Sequence, residues 1–344
     1  MIHNLDVLNK LVDKKLLIKC ETEDLAQYNY SDYTNVEGYW NKYTLFNRGN
    51  VYDKTTGELV GKCLPKFFEM EQLPQSWQDN LRTQSFEATK KYDGVMGVIY
   101  KFQNTVYCNT RNSFNNNITK LMYSLLPNYN LDILDILNIV VEVISPQTRD
   151  IVDYGDTVEL RLVTAFYKVT GAELSYNSLY NIALQIGMPI VENVDLTWHE
   201  LTEYQNNADC TSEGYVLRFA GNLRVKIKNQ AYLNAKTVKD KVNIHSMWKL
   251  FNSNVGINEI HRRIMQYSSP MYETSLEVFN KLVHELTLVK SCAKDIHENT
   301  KLLSDKQLSE YFEQNKTKYE DMVWAYRKND SERVHRIALR LIEP

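Results

Sequence analysis

Strand-like segments interspersed with short helical stretches fill the first two thirds of the chain; the last third repeats its apolar residues at the three- and four-residue spacing of helices. At the N-terminus Leu5, Leu8, Leu11, Val12 and Leu16 fall on one helical face and predict a packing helix within the first 20 residues, at the edge of the domain that follows. Residues 25–70 are rich in Tyr, Val, Thr and turn formers, and Thr56-Gly57 sits between two strand-like runs as a hairpin turn. A short helical stretch at 75–81 leads to a strand at Lys91, after which VMGVIYKF turns across Gln103-Asn104 into TVYCNT. Residues 114–127 predict a helix that ends at Leu126-Pro127, and 138–170 return to strand. SYNSLYNIALQIGM, at 175–188, reads as a helix closed by Gly187 and Pro189. A helix over 195–206 precedes a last hairpin with Glu213 on one arm and Lys226 on the other.

After residue 230 glycine nearly vanishes and the text becomes amphipathic helix. Leu276, Phe279, Leu282, Val283, Leu286, Val289 and Ala293 share one face of a helix over 275–296; Ser304 and Asp305 start another, and SERVHRIALRLIEP closes the chain. A length of 344 residues suits about two domains.

Charge and cysteine usage narrow the class. With 40 basic against 43 acidic residues there is no global field for nucleic acid, so any affinity for it must come from a local basic surface. The five cysteines are isolated and the seven histidines scattered, which argues for reduced thiols in a cytoplasm and against a zinc site or a disulfide framework. Lysines and acidic residues interrupt the apolar positions of the N-terminus, so no ordinary signal peptide is expected, and no apolar run has the length of a membrane span.

The tetrad Lys91-Tyr92-Asp93-Gly94 carries the most chemistry. A lysine two residues before Asp-Gly can carry a nucleotide covalently, provided its amine is unprotonated when it attacks the α-phosphate. Since a free lysine titrates near ~10.4, burial and nearby cations are expected to favour the neutral amine, with Lys226 and Lys228 as those cations. Asp93 would oppose that shift, which assigns it to a ribose or a metal. Gly94 leaves room for a turn or a close ligand. Lys226 and Lys228, one residue apart on a strand, project to the same face, where two cations can hold a phosphate. The lesser alternative for Glu213 and this lysine pair is a solvated hairpin edge.

In order along the chain, NRGNVY at 47–52, LPKFFEM at 64–70, KYDG, VVEVISPQTRDIVDY at 140–154, EGYV at 213–216 and KIK at 226–228 together resemble the RNA ligase 1 family of T-even bacteriophages, within the covalent nucleotidyltransferases. The resemblance spans roughly residues 40–230. It implies an α+β fold: an adenylyltransferase domain of ATP-grasp-like antiparallel sheets with helices over 1–230, and an all-helical C-terminal domain over 231–344 conferring RNA or tRNA specificity. DNA ligases and capping enzymes usually carry a β-rich OB-fold there, which this helical tail does not resemble.

Carried over by position, the resemblance makes Lys91 the nucleophile that becomes lysyl-AMP. Arg48 would bind the triphosphate, Lys66 would lie beside the nucleotide and Phe68 would stack on adenine. Glu142 would receive the ribose hydroxyls, and Glu213 would act near the metal and the reacting phosphate. Lys226 and Lys228 would contact the α-phosphate and, with Arg48, the leaving pyrophosphate. Arg111 stands where the family has a lysine, and Asn112 replaces the glycine that usually follows it. ATP is the expected cosubstrate and magnesium, or manganese, the metal, with Asp93, Glu142 and Glu213 as its inner-shell or water-mediated supports. The implied reaction joins 5′-phosphate and 3′-hydroxyl RNA ends, in tRNA broken at the anticodon loop, with an end-healing kinase and phosphatase as candidate partners whose need the sequence leaves open. The expected protein is a monomer in the cytoplasm of an infected bacterium, with His261, Arg262 and Arg263 as first candidates for RNA contact. The competing readings are another nucleotidyltransferase, sealing DNA or capping RNA, and an RNA-binding protein without catalysis.

Overall fold

A computed structural model describes residues 4–241, 244–253, 256–264 and 269–344. The chain divides into two compact units, Met1–Leu233 and Asn234–Pro344. The first opens with α1 (Leu5–Asp13), β1 (Leu17–Glu21), β2 (Leu25–Tyr30), α2 (Asp32–Glu37), α3 (Lys42–Phe46), β3 (Arg48–Asp53), β4 (Leu59–Gly61) and β5 (Phe68–Glu69). It continues through α4 (Gln75–Arg82), β6 (Glu87–Lys91), β7 (Val95–Phe102), β8 (Thr105–Thr110), α5 (Asn117–Leu125), β9 (Leu137–Ile144) and β10 (Glu159–Tyr167). It ends with α6 (Tyr176–Ile186), β11 (Asn193–Val194), α7 (Trp198–Asn207), β12 (Gly214–Arg218), β13 (Arg224–Lys228) and the start of α8 (Gln230–Lys241).

These strands form three sheets, in the orders β1-β2-β3-β4, β10-β9-β7-β8 and β11-β6-β12-β13-β5. Every pairing is antiparallel except β13 with the two-residue β5. The arrangement is the mixed α+β class that the sequence implies.

Local chemistry accounts for most boundaries. The β7–β8 hairpin turns on Gln103 and Asn104, with φ of 47° and 63°, the left-handed pair that matches strand twist in a two-residue loop. Ser175 caps α6 by accepting from the Ser178 amide, and Gly187 ends it with φ of 71°. The first helix is shorter than its periodicity predicts. It stops at Asp13, Lys15 takes φ of 60°, and Leu17 instead pairs with Tyr30 as a strand, so tertiary pairing overrides the helical spacing of Leu16. Leu8 and Leu17 then pack with Tyr28, Tyr52 and Leu59 in one buried cluster, where each fully enclosed large side chain contributes about 1.5–3 kcal/mol. Within 25–70 two short helices, α2 and α3, interrupt what the composition reads as strand; each is started by a side-chain cap, from Ser31 and Asn41.

The second unit is helical in its described residues: α9 (Ile244–Phe251), α10 (Ile257–Ile264), α11 (Ser269–Thr300), α12 (Asp305–Gln314), α13 (Glu320–Arg327) and α14 (Ser331–Leu341). The apolar stripe of α11 is its core seam, with Phe279, Leu282, Leu286, Val289 and Ala293 buried among residues of α12, α13 and α14. Ser304 makes a reciprocal capping box with Gln307 at the start of α12. On α10 Arg262 pairs with Glu259 at 2.8 Å and the His261 ring lies 5.4 Å from Phe279, while the Arg263 side chain lies outside the described residues. No helix among the described residues is long and apolar enough to cross a membrane.

Candidate active site

Strand register brings the candidates together. Lys91, the last residue of β6, lies opposite Gly214 of β12, and Gly214 lies opposite Lys228 of β13. A side chain between the two lysines is impossible: a Cβ on Gly214 would sit 2.0 Å from the Ile227 carbonyl oxygen, and its φ is +147°. Glu213, immediately before that glycine, is thereby gripped from both sides. Its Oε2 is 2.5 Å from Lys91 Nζ and its Oε1 is 3.0 Å from Lys228 Nζ, and the carboxylate is almost wholly buried. Lys228 reaches a second carboxylate, Glu69, at 3.5 Å. Glu142 comes from β9 of another sheet, opposite Met96 and Arg161.

Gly94 explains how that sheet comes so close. A Cβ there would lie 2.5 Å from the Val143 carbonyl oxygen and 3.1 Å from Glu142 Cγ, so the turn after Lys91 packs directly on β9. Above it opens a cavity of about 450 Å³, lined among others by Arg48, Phe67, Lys91, Gly94, Met96, Arg111 and Glu142, within the size range of small-molecule sites. Five of the sequence candidates therefore line one cavity, namely Arg48, Lys91, Gly94, Arg111 and Glu142.

The others are placed differently. Glu213 and Lys228 reach the cavity through Lys91. Lys226 forms no ion pair among the described residues and stands 5.6 Å from the centre of the Phe67 ring. Phe68 does not line the cavity. Its ring meets Trp40 edge-on at 5.3 Å, with Lys66 Nζ 5.3 Å above it, and Phe67 lines the cavity instead. Adjacent residues of an extended chain face opposite ways, and the register of Phe68 against Val225 decides which one faces in. Lys66 sits among Tyr30, Trp40 and Phe68 and donates to Asn35 at 3.2 Å, off the cavity lining.

Asp93 also departs from its expected work at a ribose or metal. It is 4% exposed, and its carboxylate is already hydrogen-bonded. Oδ2 accepts from the Ile151 and Val152 amides at 2.7 and 2.8 Å, and Oδ1 accepts from the Tyr232 hydroxyl at 2.9 Å. Its own amide donates to Tyr154 at 2.9 Å. Asp93 is thus a tie that fixes the turn between Lys91 and Gly94.

Electrostatics correct one further expectation. Burial is the largest influence on Lys91 and pushes its pKa down, but Glu213, Glu142 and Asp93 outweigh it, and the net shift is upward. Lys91 rests as an ammonium rather than as a free amine. The neutral-range groups are its neighbours. Burial, helped by Lys228, Lys91 and Lys66, pulls Lys226 down to about 7, and burial lifts the Glu142 carboxyl to about 7 against the opposing pull of Lys91.

No group of three or more His, Cys, Asp or Glu suited to a metal occurs among the described residues. Of the three carboxylates expected to support a metal, Glu213 and Asp93 are committed to other partners, and Glu142 is the one that lines the cavity and is open to a hard cation. That set fits a magnesium-type ion only jointly with substrate phosphates and water, which is how such ions are commonly held.

Sequence reasoning did not assign Phe67, Tyr154 or Tyr232 to the site. It also missed the guanidinium of Arg161, which stacks 4.2 Å from the Tyr92 ring. Phe67 had a signal in the paired phenylalanines, and Tyr154 had one as the last residue of the 140–154 motif. Tyr232 lies 139 residues from its partner Asp93.

No protein-family model and no curated protein matches the chain. Among solved structures it is similar to a putative ATP-dependent DNA ligase from Aquifex aeolicus, at 16% identity and a TM-score of 0.46, over 80% of this chain and 71% of that one. It is also similar to a Naegleria gruberi RNA ligase mutant with ATP and Mn, at 15% identity and a TM-score of 0.43, over 68% of this chain and 83% of that one. A Naegleria gruberi RNA ligase with PPi is similar at 16% identity and a TM-score of 0.43, over 52% of this chain and 60% of that one.

Proposed function

We propose that the protein is an ATP-dependent RNA ligase that works through a lysyl-AMP on Lys91. The observation that carries this reading is the position of Lys91 Nζ, in the wall of a nucleotide-sized cavity, 2.5 Å from Glu213, with Arg48 and Arg111 lining the same cavity. An amine, an acidic partner and two guanidiniums are the parts that nucleotidyl transfer needs.

In the first step the Lys91 ammonium gives up its proton and Nζ attacks the α-phosphorus of ATP. The nitrogen–phosphorus bond forms as the bond to pyrophosphate breaks. Glu213 holds Nζ in line, and Glu142, titrating at about 7, is the nearby carboxyl that can hold a proton at neutral pH. Arg48 and Arg111 neutralise the departing pyrophosphate, and Lys226, close enough to its titration point to change charge and 5.6 Å from the Phe67 ring that lines the cavity, would meet the α-phosphate. A bound divalent cation would add positive charge at the phosphate oxygens, which stabilises the transition state and favours the neutral amine. In the second step a 5′-phosphate of RNA takes the AMP and Lys91 leaves; in the third a 3′-hydroxyl attacks that activated end and AMP departs.

RNA rather than DNA, and tRNA broken in the anticodon loop in particular, is favoured by the helical make-up of the second unit, where a β-rich module would suit the DNA-sealing and capping alternatives. A tRNA anticodon stem-loop nicked to leave 5′-phosphate and 3′-hydroxyl ends tests this against a nicked DNA duplex of equal length. Sealing of the RNA at least about tenfold faster is expected; equal or preferential sealing of DNA refutes the RNA assignment, and capping of a triphosphate end with GTP refutes ligation.

A further inference from the structure

Arg48 opens β3 and Arg111 directly follows β8 of another sheet, and nothing in their own side-chain contacts fixes the distance between them. Arg111 donates to the Tyr30 hydroxyl at 2.9 Å, whereas Arg48 Nε is buried without a hydrogen-bond partner. The backbone beside them is held more tightly. Gln27 on β2 is 1% exposed, and its amide nitrogen donates to the Thr110 carbonyl at 2.6 Å and the Gly49 carbonyl at 3.3 Å. Asn109 on β8 is fully buried and bonds the same two carbonyls, at 3.0 and 3.5 Å. Gly49 directly follows Arg48, and Thr110 directly precedes Arg111. Gly49 has φ of +96°, and a Cβ on it would lie 3.0 Å from Arg111 Cα, so the two segments touch backbone to backbone. Asn29 adds a third amide link, donating to Asn112 Oδ1 at 2.5 Å.

Resting on the ligase reading above, we propose that Gln27 and Asn109 are positioning residues: an amide staple that sets the spacing of Arg48 and Arg111 for the β- and γ-phosphates of the nucleotide. Buried amides are costly unless satisfied. Here each of the two amide nitrogens serves the same two carbonyls on separate strands, while Gln27 Oε1 and Asn109 Oδ1 are left without partners. Such an arrangement suits holding two backbones in register better than it suits packing. It also accounts for Asn112 at a position where the resembling family has glycine, since Asn29 engages its side chain.

The staple acts on the triphosphate, so it should matter only in the step that uses one. Gln27→Met and Asn109→Leu keep side-chain volume and remove the amides; Asn109→Ser, which retains a donor, guards against a variant that fails to fold. The KM for ATP in lysyl-AMP formation is expected to rise about tenfold in Gln27→Met and Asn109→Leu, the loss of one well-placed charge-assisted contact. Sealing of a pre-adenylated RNA, which needs no triphosphate, should stay within about twofold of wild type. An unchanged KM, or an equal fall in both steps, overturns the staple. Pyrophosphate binding, followed by calorimetry, separates this from failure of the ligase reading. If wild type forms no adduct with any nucleoside triphosphate, that reading fails. Weaker pyrophosphate binding in Gln27→Met would still support the staple, and equal or absent binding would overturn it.

Discussion

Replacing Glu142 by Gln keeps the shape of the side chain and deletes its ionisation, so the change in stability with pH isolates the cost of charging this carboxyl inside the fold. Burial raises it from 4.5 to about 7, with Lys91 and Arg48 offsetting part of the penalty. A group whose folded pKa lies above its unfolded value contributes stability in full below the unfolded pKa and loses it as pH rises through the folded one. Wild type should therefore lose stability relative to Glu142→Gln across the window from about 4.5 to about 7. Each pKa unit is worth about 1.36 kcal/mol, so the difference between the two proteins should grow by about 2–3 kcal/mol between pH 5 and pH 8. In a unit of this size that is roughly 5–10 °C of melting temperature. Urea titrations at several pH values, followed by near-ultraviolet dichroism, measure it. Contributions that do not titrate cancel in the comparison. A stability difference that is flat with pH, or that shrinks as pH rises, refutes the claim that Glu142 is held near neutrality by burial.

Lys226 gives the mirror-image case. Its pKa is lowered to about 7 by burial and neighbouring lysines, so Lys226→Met should be more stable than wild type below about pH 7 and lose that advantage as pH climbs toward 10.5, which the same titrations check. Gly94→Ala puts a methyl 2.5 Å from the Val143 carbonyl, and should cost about 1–3 kcal/mol in denaturation and abolish nucleotide transfer, because the turn behind Lys91 must move. Phe67→Ala should raise the KM for ATP by the loss of about 1–1.5 kcal/mol of aromatic contact, roughly tenfold, in a kinetic comparison where Phe68→Ala has the smaller effect; the reverse order would restore Phe68 as the stacking residue.

Much of the fold was written in local pattern. The apolar run VMGVIYKF, closed by the Gln103-Asn104 turn, is β7 over its full length, and Ser175 with Gly187 bounds α6 within a residue or two of its periodicity. Ser304 marks the start of α12 in the sequence as in the structure. What failed depends on contacts distant in the chain. Leu16 fits the helical stripe, but β1 needs the next residue, Leu17, for Tyr30. Phe67 and Phe68 are equivalent until β5 pairs with β13. The acidity of Asp93 invited a ligand role, yet Ile151, Val152 and Tyr232 consume its oxygens. The charge state of Lys91 required knowing that Glu213, 122 residues away, touches it. Residue type and order located the chemistry; which side chain faces the cavity, and with which proton, is settled by strand register.

The central claim, covalent transfer of AMP to Lys91, is tested most directly by incubating wild type and Lys91→Ala with α-labelled ATP and magnesium, denaturing, and mapping the label by peptide mass. An acid-labile adduct on the peptide containing Lys91, absent from the variant, is the expected result. Label on another residue, an adduct that survives in Lys91→Ala, or no adduct in wild type at any magnesium or manganese concentration would contradict it.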